Sequence, residues 1–524
     1  MRFEKTQMLS FLLLTNSLLA ACLFRSYANK DFEKLKDAIM TASDKEEPTF
    51  RSVEIQISSA KYIDSENSSA LHQLLNKIGT LKSYYVASGG FGKVVSIIQG
   101  EARFAVKEIS FIDFLIDLKI QYLKASPTHY ACHASVLGRI TSALPLQNFS
   151  DKTSSFQQAH NELSVFVDKE VDTMCAGRED AKKSLKDQLF KYFRGLSTEA
   201  FFAENLSHYS NKYEHPDFPS FPIFYECIFD WNLNTYLVMQ FKTRSLHDLL
   251  QDDTLALELS ENLLVDLSLL YQADVIFDYG FSHCDLKPQN VVIKKEPLWQ
   301  HLSIMDYGLI SANNAPCRGG TYYYQPIEMH FELPYDPKDF EKIFACPACQ
   351  NDAFAIGQIM LAIELSKTKF ENHLKSYDKL ISQGVKTEAA FDSFFKKAEA
   401  ALKEKYDSYA SIFSARQQEH EVLALFHKLI LKLLAFNPTK RFTVRAALLI
   451  THQLYLAVTA KEKQNTHKKL ADLMIKDINK VFEIYDFKAV SKLAVGEARA
   501  IIADTINDVK PELEQLYYTW LLFF

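Results

Sequence analysis

The sequence has no basic block. Its 59 lysines and arginines are scattered among 65 aspartates and glutamates, and the formal net charge is -6. That removes the electrostatic case for a nucleic-acid partner. Cysteine is scarce as well: eight in 524 residues are too few for a disulfide scaffold. Cys346-Pro347-Ala348-Cys349 is the only close pair. With no second pair at ligand spacing it makes a poor zinc site, and it reads as a short local disulfide in an oxidising compartment or as two loop thiols. Internal repeats and low-complexity segments are missing, which removes repeat arrays and biased linkers. What remains is ordinary globular composition, 48% hydrophobic and 24% charged, with length for roughly two to four domains.

A clean membrane span is lacking too. Arg2 and Lys5 precede an uncharged, leucine-rich run from Met8 to Phe24, but Thr15, Asn16 and Ser17 interrupt it. Ser26-Tyr27-Ala28 then offers small residues where a signal peptidase inspects the chain. Residues 1–28 are therefore expected to be a signal peptide, with a retained signal anchor as the alternative. Leu19-Ala20-Ala21-Cys22 also resembles a bacterial lipobox, which would put a lipid on Cys22. The expected location is secreted or secretory, with membrane contact only if this segment is retained or lipidated. Cleavage after Ala28 leaves an odd number of cysteines. The sequons at Asn67, Asn148 and Asn205 are as many as chance supplies in a chain this long and do not decide the compartment.

Residues 29–80 are polar and mixed, an extension with partial helix expected. From Tyr84 short β-rich runs follow, at Tyr84–Val86, Val94–Ile98 and Arg103–Ile109, separated by glycine turns as in an antiparallel meander. Residues 110–200 have a helical pattern, with Lys182–Phe193 amphipathic. Ile223–Ile228 and Thr235–Phe241 return to strand. After Ser245 helices dominate, with Asp352–Leu365, Glu421–Ala435 and Val444–Val458 apolar at helical period. Residues 456–524 form a helical tail whose aromatic end would need covering.

The chemistry concentrates in His283-Cys284-Asp285-Leu286-Lys287-Pro288-Gln289-Asn290, followed after an apolar run by Asp306-Tyr307-Gly308. An acid, a lysine and an amide in one loop, with a second acid nearby, are the groups that phosphoryl transfer from a metal-nucleotide needs. Upstream, Ala87-Ser88-Gly89-Gly90-Phe91-Gly92-Lys93-Val94 lies between two predicted strands. Glycines there let backbone lie close over phosphates. On the next strand Phe104-Ala105-Val106-Lys107 places a lysine in an apolar run, costly unless it has a charged partner or snorkels from an edge.

These motifs, in this order over residues 81–455, resemble the eukaryotic-type Ser/Thr protein kinases. The resemblance implies an α+β, two-lobed protein-kinase-like fold. A small antiparallel β-rich N-lobe would span about 81–240 with a helical insertion at 110–200, and a larger helical C-lobe about 241–455. It implies ATP and Mg²⁺ as cofactors and a protein substrate with a Ser or Thr acceptor. Ala87, Gly89 and Gly92 match the glycine-rich loop, although Ala87 departs from its first glycine. Val94 and Ala105 match the residues above the adenine and Val292 the one below. Lys107 matches the lysine on the α- and β-phosphates, and Glu204 is the partner preferred for it, with Glu199 and Glu170 as rivals. Met239 would be the gatekeeper, with backbone groups of Gln240 and Lys242 on the adenine edge. Asp285 matches the base, Lys287 the cation at the γ-phosphate, and Asn290 and Asp306 the metal ligands. Thr321 would orient Asp285 and Lys287, Asp352 would brace the loop, and Glu328 would pair with Arg441.

Tyr307 replaces a phenylalanine and needs a partner for its hydroxyl. Cys284 replaces an arginine that anchors a phosphorylated activation segment, so activity is expected not to depend on phosphorylation of that segment. Two alternatives keep the fold: a pseudokinase-type binding scaffold, and a kinase-like enzyme with a non-protein hydroxyl acceptor.

Overall fold

Glycine turns and alternating apolar residues give the first half its sheet, and helical stripes give the second half its core. The computed structural model describes residues 60–63, 83–89, 92–99, 102–125, 131–143, 156–175, 177, 179–213, 221–230, 234–242, 244–251, 259–293, 302–312, 317, 319–330, 348–384, 388–412, 417–435 and 441–459. These fall into two compact units that part between Lys242 and Arg244. The expected signal peptide, most of the 29–80 extension and the tail beyond Thr459 lie outside the described residues. No helix among the described residues is long and apolar enough to cross a membrane.

The first unit is built on a six-stranded sheet of β1 (Ala60–Ile63), β2 (Ser83–Gly89), β3 (Gly92–Gln99), β4 (Ala102–Ser110), β5 (Phe224–Asp230) and β6 (Asn234–Gln240), in the order β1-β5-β6-β4-β3-β2. All pairings are antiparallel except β1 with β5, which is parallel. Within 29–80 the described residues form a strand at Ala60–Ile63, which the sequence pattern did not signal. The exposed edge of β5 offers backbone donors and acceptors that the short run Ala60-Lys61-Tyr62-Ile63 takes up.

Between β4 and β5 the described residues form four helices, α1 (Phe111–Ala125), α2 (Ala131–Ala143), α3 (Phe156–Met174) and α4 (Glu179–Tyr213). Helix α4 opens on Glu179 and Asp180, acids that suit the positive end of a helix dipole. Leu185, Leu189, Tyr192, Leu196, Ala200 and Ala203 bury one face at helical spacing. The Ser207 hydroxyl accepts the backbone N–H of Phe224 at 2.8 Å, tying α4 to the sheet.

The second unit begins with β7 (Arg244–Ser245) and α5 (Leu246–Leu250), where Ser245 and Asp248 form a reciprocal capping box. Then come α6 (Leu259–Asp278), β8 (Phe281–Ser282), β9 (Val291–Ile293), β10 (Leu302–Ile304), β11 (Ser311–Ala312), α7 (Ala348–Glu364), α8 (Lys367–Ser382), α9 (Glu388–Ile412), α10 (Gln417–Leu433) and α11 (Val444–Thr459). Helix α6 buries apolar residues around most of its girth, from Leu263 to Ile276, and forms the centre of this unit. Helices α7 and α10 meet closely at Gly357, where a Cβ would stand 2.8 Å from the Leu433 Cβ. A buried polar cluster also ties helices together: Glu364 of α7 accepts from Asn262 of α6 at 2.5 Å and lies 2.9 Å from Lys405 of α9 and 3.1 Å from His427 of α10. Burial pushes the Glu364 carboxyl up, but Lys405 and His427 overcome this and hold it down at about 2.

Candidate active site

In the first unit the strand register sets the geometry. Lys107 of β4 stands opposite Val94 on β3 and Leu237 on β6, while Ala105 stands opposite Met239. Directly paired residues share a face, so Val94, Ala105, Lys107, Leu237 and Met239 line one side of the sheet. Ala87 pairs with Val94 and Gly89 with Gly92 at the hairpin end. The backbone N–H of Gln240 donates to Ile223 O at 2.7 Å, so that N–H is committed to the protein. Lys242 follows it and is buried.

The Lys107 ammonium lies 2.6 Å from Oε1 of Glu199. This corrects the preference for Glu204. Five residues on from Glu199, Glu204 points about 140° away around α4, so the two cannot face the same strand. Glu199 follows Leu196 by three positions and precedes Ala203 by four, which puts it on the helix's buried stripe. Glu204 follows Ala200 of the same stripe by four positions and is buried as well, so spacing left both open, and the contact to Lys107 decides between them. The other rival, Glu170, pairs with Arg139 at 3.0 Å.

In the second unit two short antiparallel pairings bring separate loops side by side. β9 pairs with β10 and β8 with β11, so the loop from β8 to β9 runs beside the loop from β10 to β11. The first carries Asp285, Lys287 and Asn290, the second Asp306. The backbone N–H of Met305 donates to Asn290 O at 2.9 Å, closing the gap between them. Val292 lies on β9 opposite Ser303 and Ser245.

Around Asp285 the hydrogen bonds form a closed set. The Lys287 ammonium donates to Asp285 Oδ2 at 2.8 Å and to the Thr321 hydroxyl at 2.7 Å. That hydroxyl donates to Asp285 Oδ1 at 2.7 Å. The Asn290 amide nitrogen donates to the Asp285 carbonyl at 2.9 Å and to Oδ2 at 3.1 Å. His283 Nδ1 accepts the Asp285 N–H at 3.3 Å and its Nε2 lies 2.9 Å from Met305 O. A carbonyl only accepts, so Nε2 carries the proton. Burial lowers the His283 pKa, which suits this neutral tautomer.

Asp352 on α7 braces the loop by accepting the N–H groups of His283 at 2.5 Å and Cys284 at 2.8 Å. Burial pushes its carboxyl up to about 7, against the effect of those two bonds. The Tyr307 hydroxyl finds its partner in Ile304 O at 2.6 Å. Arg441 donates from NH1 and NH2 to the two oxygens of Glu328, at 2.8 Å and 3.4 Å.

Among the described residues Cys284 and Asp306 are the only non-glycine residues with positive φ, 67° and 68°. Such backbone strain collects where function needs a particular geometry. Asn290 and Asp306 suit a hard cation: both offer oxygen, and with the amide nitrogen of Asn290 bound to Asp285, its oxygen is the atom left for a metal. Mg²⁺ takes one or two such protein ligands and completes its shell with phosphate and water, so the pair fits it.

Sequence reasoning missed one covalent feature. Cys284 is bonded to Cys317, a disulfide spanning 33 residues with Cα atoms 5.5 Å apart. The two cysteines are 33 positions apart, so spacing does not suggest them as a pair. The side chains of Cys346 and Cys349, the close pair, lie outside the described residues.

Residues 221–454 match the family model of the protein kinase domain. The serine/threonine-protein kinase VHS1 of Saccharomyces cerevisiae is 26% identical over 91 residues, covering 16% of this chain and 19% of that protein. This chain therefore spans about a fifth of the length of the relative it matches. Both findings support a likeness to protein kinases. The match starts at Phe221, so Lys107, Glu199 and the glycine-bearing hairpin precede it.

Proposed function

We propose that this chain transfers the γ-phosphoryl group of ATP to Ser or Thr hydroxyls of protein substrates. The observation that carries this reading is the closed set of hydrogen bonds joining Asp285, Lys287, Asn290 and Thr321 beside Asp306. Asp285 orients the acceptor hydroxyl and takes its proton as the new O–P bond forms. Lys287, fixed between Asp285 and Thr321, sits where a cation steadies the moving phosphoryl group. Thr321 adds a hydroxyl contact associated with Ser/Thr acceptors. Asn290 and Asp306 would hold Mg²⁺, which when bound neutralises charge on the phosphate oxygens. Lys107, oriented by Glu199, would contact the α- and β-phosphates. Catalysis of this kind is positioning and charge neutralisation rather than covalent chemistry.

The test is Mg²⁺-dependent transfer of labelled γ-phosphate from ATP to a panel of proteins by the full chain. Asp285→Asn should lower turnover by ~10²–10⁴-fold, the range for loss of a general base, and Asp306→Asn should abolish the Mg²⁺-dependent transfer. Undiminished transfer by Asp285→Asn removes its role. Binding of a partner with no transfer at all supports a scaffold instead, and transfer only to small molecules supports a non-protein acceptor.

We also propose that the protein works in an oxidising compartment. Disulfides such as Cys284–Cys317 persist there, in keeping with the leader read at residues 1–28. Finding the chain in the cytosol with both thiols free overturns this.

A further inference from the structure

We propose that the Cys284–Cys317 disulfide is a positioning element for the base, and that phosphoryl transfer requires it in the oxidised form. The inference rests on the kinase reading of the same site.

Cys284 directly precedes Asp285 in the chain, and Cys317 lies four residues before Thr321. The bridge therefore joins the loop holding the base to the segment holding the hydroxyl that Asp285 accepts from. Both cysteines are buried, at 1% and 5% exposure, with Leu309 and Met329 packed over them. Each side of the seam is prepared for contact. The Cys284 N–H is bound to Asp352, and its carbonyl accepts from Asn351 at 3.4 Å. Gly320, at φ +133°, lies so near that carbonyl that a Cβ would stand 2.6 Å from it. Gln325 holds the same segment from its other end by donating to Gly319 O at 2.7 Å.

The segment is thus fastened to the loop by one covalent link and by the hydroxyl of Thr321. Without the link, nearest to the base the segment is held by the Thr321 hydroxyl contacts to Asp285 and Lys287, and further off by the pairing of β11 with β8. The bridge takes the place of an ionic anchor between loop and segment. That anchor would have needed a cation at position 284, where this chain has a disulfide-bonded cysteine instead.

The chemistry of the switch is thiol–disulfide exchange. To form the bridge, two thiols lose two electrons and two protons to a small disulfide such as oxidised glutathione. One S–S bond forms, one breaks, and two molecules of reduced glutathione leave. A dithiol reductant reverses it: its first thiolate attacks one Sγ and its second closes the reductant's own disulfide, leaving Cys284 and Cys317 as thiols.

The experiment uses the full chain equilibrated with oxidised glutathione or with dithiothreitol, with Cys317→Ser alongside. Non-reducing peptide mass mapping reports the bond, hydrogen exchange reports residues 306–330, and steady-state kinetics with ATP reports turnover. On reduction, exchange should rise in 317–325 while α6 and α11 stay protected. The kcat should fall by as much as ~10²-fold, the effect of misplacing a reacting group by about 1 Å, with the KM for ATP little changed. Reoxidation should restore it. Cys317→Ser should show the reduced behaviour under both conditions. Equal kcat and equal exchange in both states overturn the proposal, as does mapping that finds Cys284 and Cys317 unbonded in the oxidised sample. If exchange responds but neither form transfers phosphate, the kinase reading has failed, and with it the catalytic role of the bridge, leaving a structural staple.

Discussion

Two buried ion pairs, one in each unit, stand in contrast. Arg441 and Glu328 are 113 residues apart, and the guanidinium makes five hydrogen bonds: two to Glu328, two to Ala435 O and one to Gln350 O. It also lies 5.2 Å from the ring centre of Phe354. Every N–H it has is used inside the protein, so this pair is a brace. Lys107 and Glu199 are 92 residues apart and meet through a 2.6 Å contact between one ammonium and one carboxylate oxygen. Arg presents a rigid fork suited to fixed architecture, whereas Lys is a compact point charge on a flexible stem. Burial and pairing are common to both pairs; the geometry of the cation is what differs.

The contrast is open to direct attack. Arg441→Leu strands the Glu328 carboxylate in a buried site and should cost ~3–5 kcal/mol of stability, read as a fall in the denaturant midpoint. A smaller loss would mean that Glu328 finds another partner and the brace is not as tight as its geometry implies. Glu199→Gln should do the reverse, lowering kcat/KM for ATP by ~10²-fold, in the range for losing one organising charge contact, with only a modest change in stability. Glu204→Gln is the control and should leave kcat/KM near wild type. Equal effects at 199 and 204 would erase the distinction drawn along α4.

Glu364 sharpens the comparison from a third position. Its carboxyl is held at about 2 against 4.5 in an open chain, so it contributes stability that is whole above pH 4.5 and drains away as pH falls towards 2. Glu364→Gln should flatten that part of the stability-against-pH curve, measured by denaturant titration at each pH. An unchanged slope would show that Lys405 and His427 are not its effective partners. The smallest effect belongs to Tyr307→Phe, which removes the hydrogen bond to Ile304 O. It should cost about 1 kcal/mol, with turnover unchanged.

How much was legible follows from how far apart the cooperating residues are. Asp285, Lys287 and Asn290 fall within six positions, so their spacing alone disclosed the loop. The strands around Lys107 were legible because glycine turns and apolar runs mark a meander. Glu199 was harder, because α4 runs for 35 residues and offers two buried carboxylates, Glu199 and Glu204, five positions apart. Helices α8 and α9 were not singled out. The buried positions along α8 are His373 and Tyr377 alone, a stripe too thin to stand out. Cys284 reads locally as a missing arginine, a comparison that could not reveal a partner beyond β11.

The link between Cys284 and Cys317 closes a ring of backbone whose ends are 33 positions apart, and Asp285, Lys287, Asn290 and Asp306 are all strung on it. Closing a ring of that size removes unfolded conformations to the extent of roughly 3–4 kcal/mol. The same topology makes the chemistry tolerant of injury. A protease that cuts once anywhere between the two cysteines opens the ring but frees no fragment, and all four groups remain on one covalent piece until the sulfurs are parted.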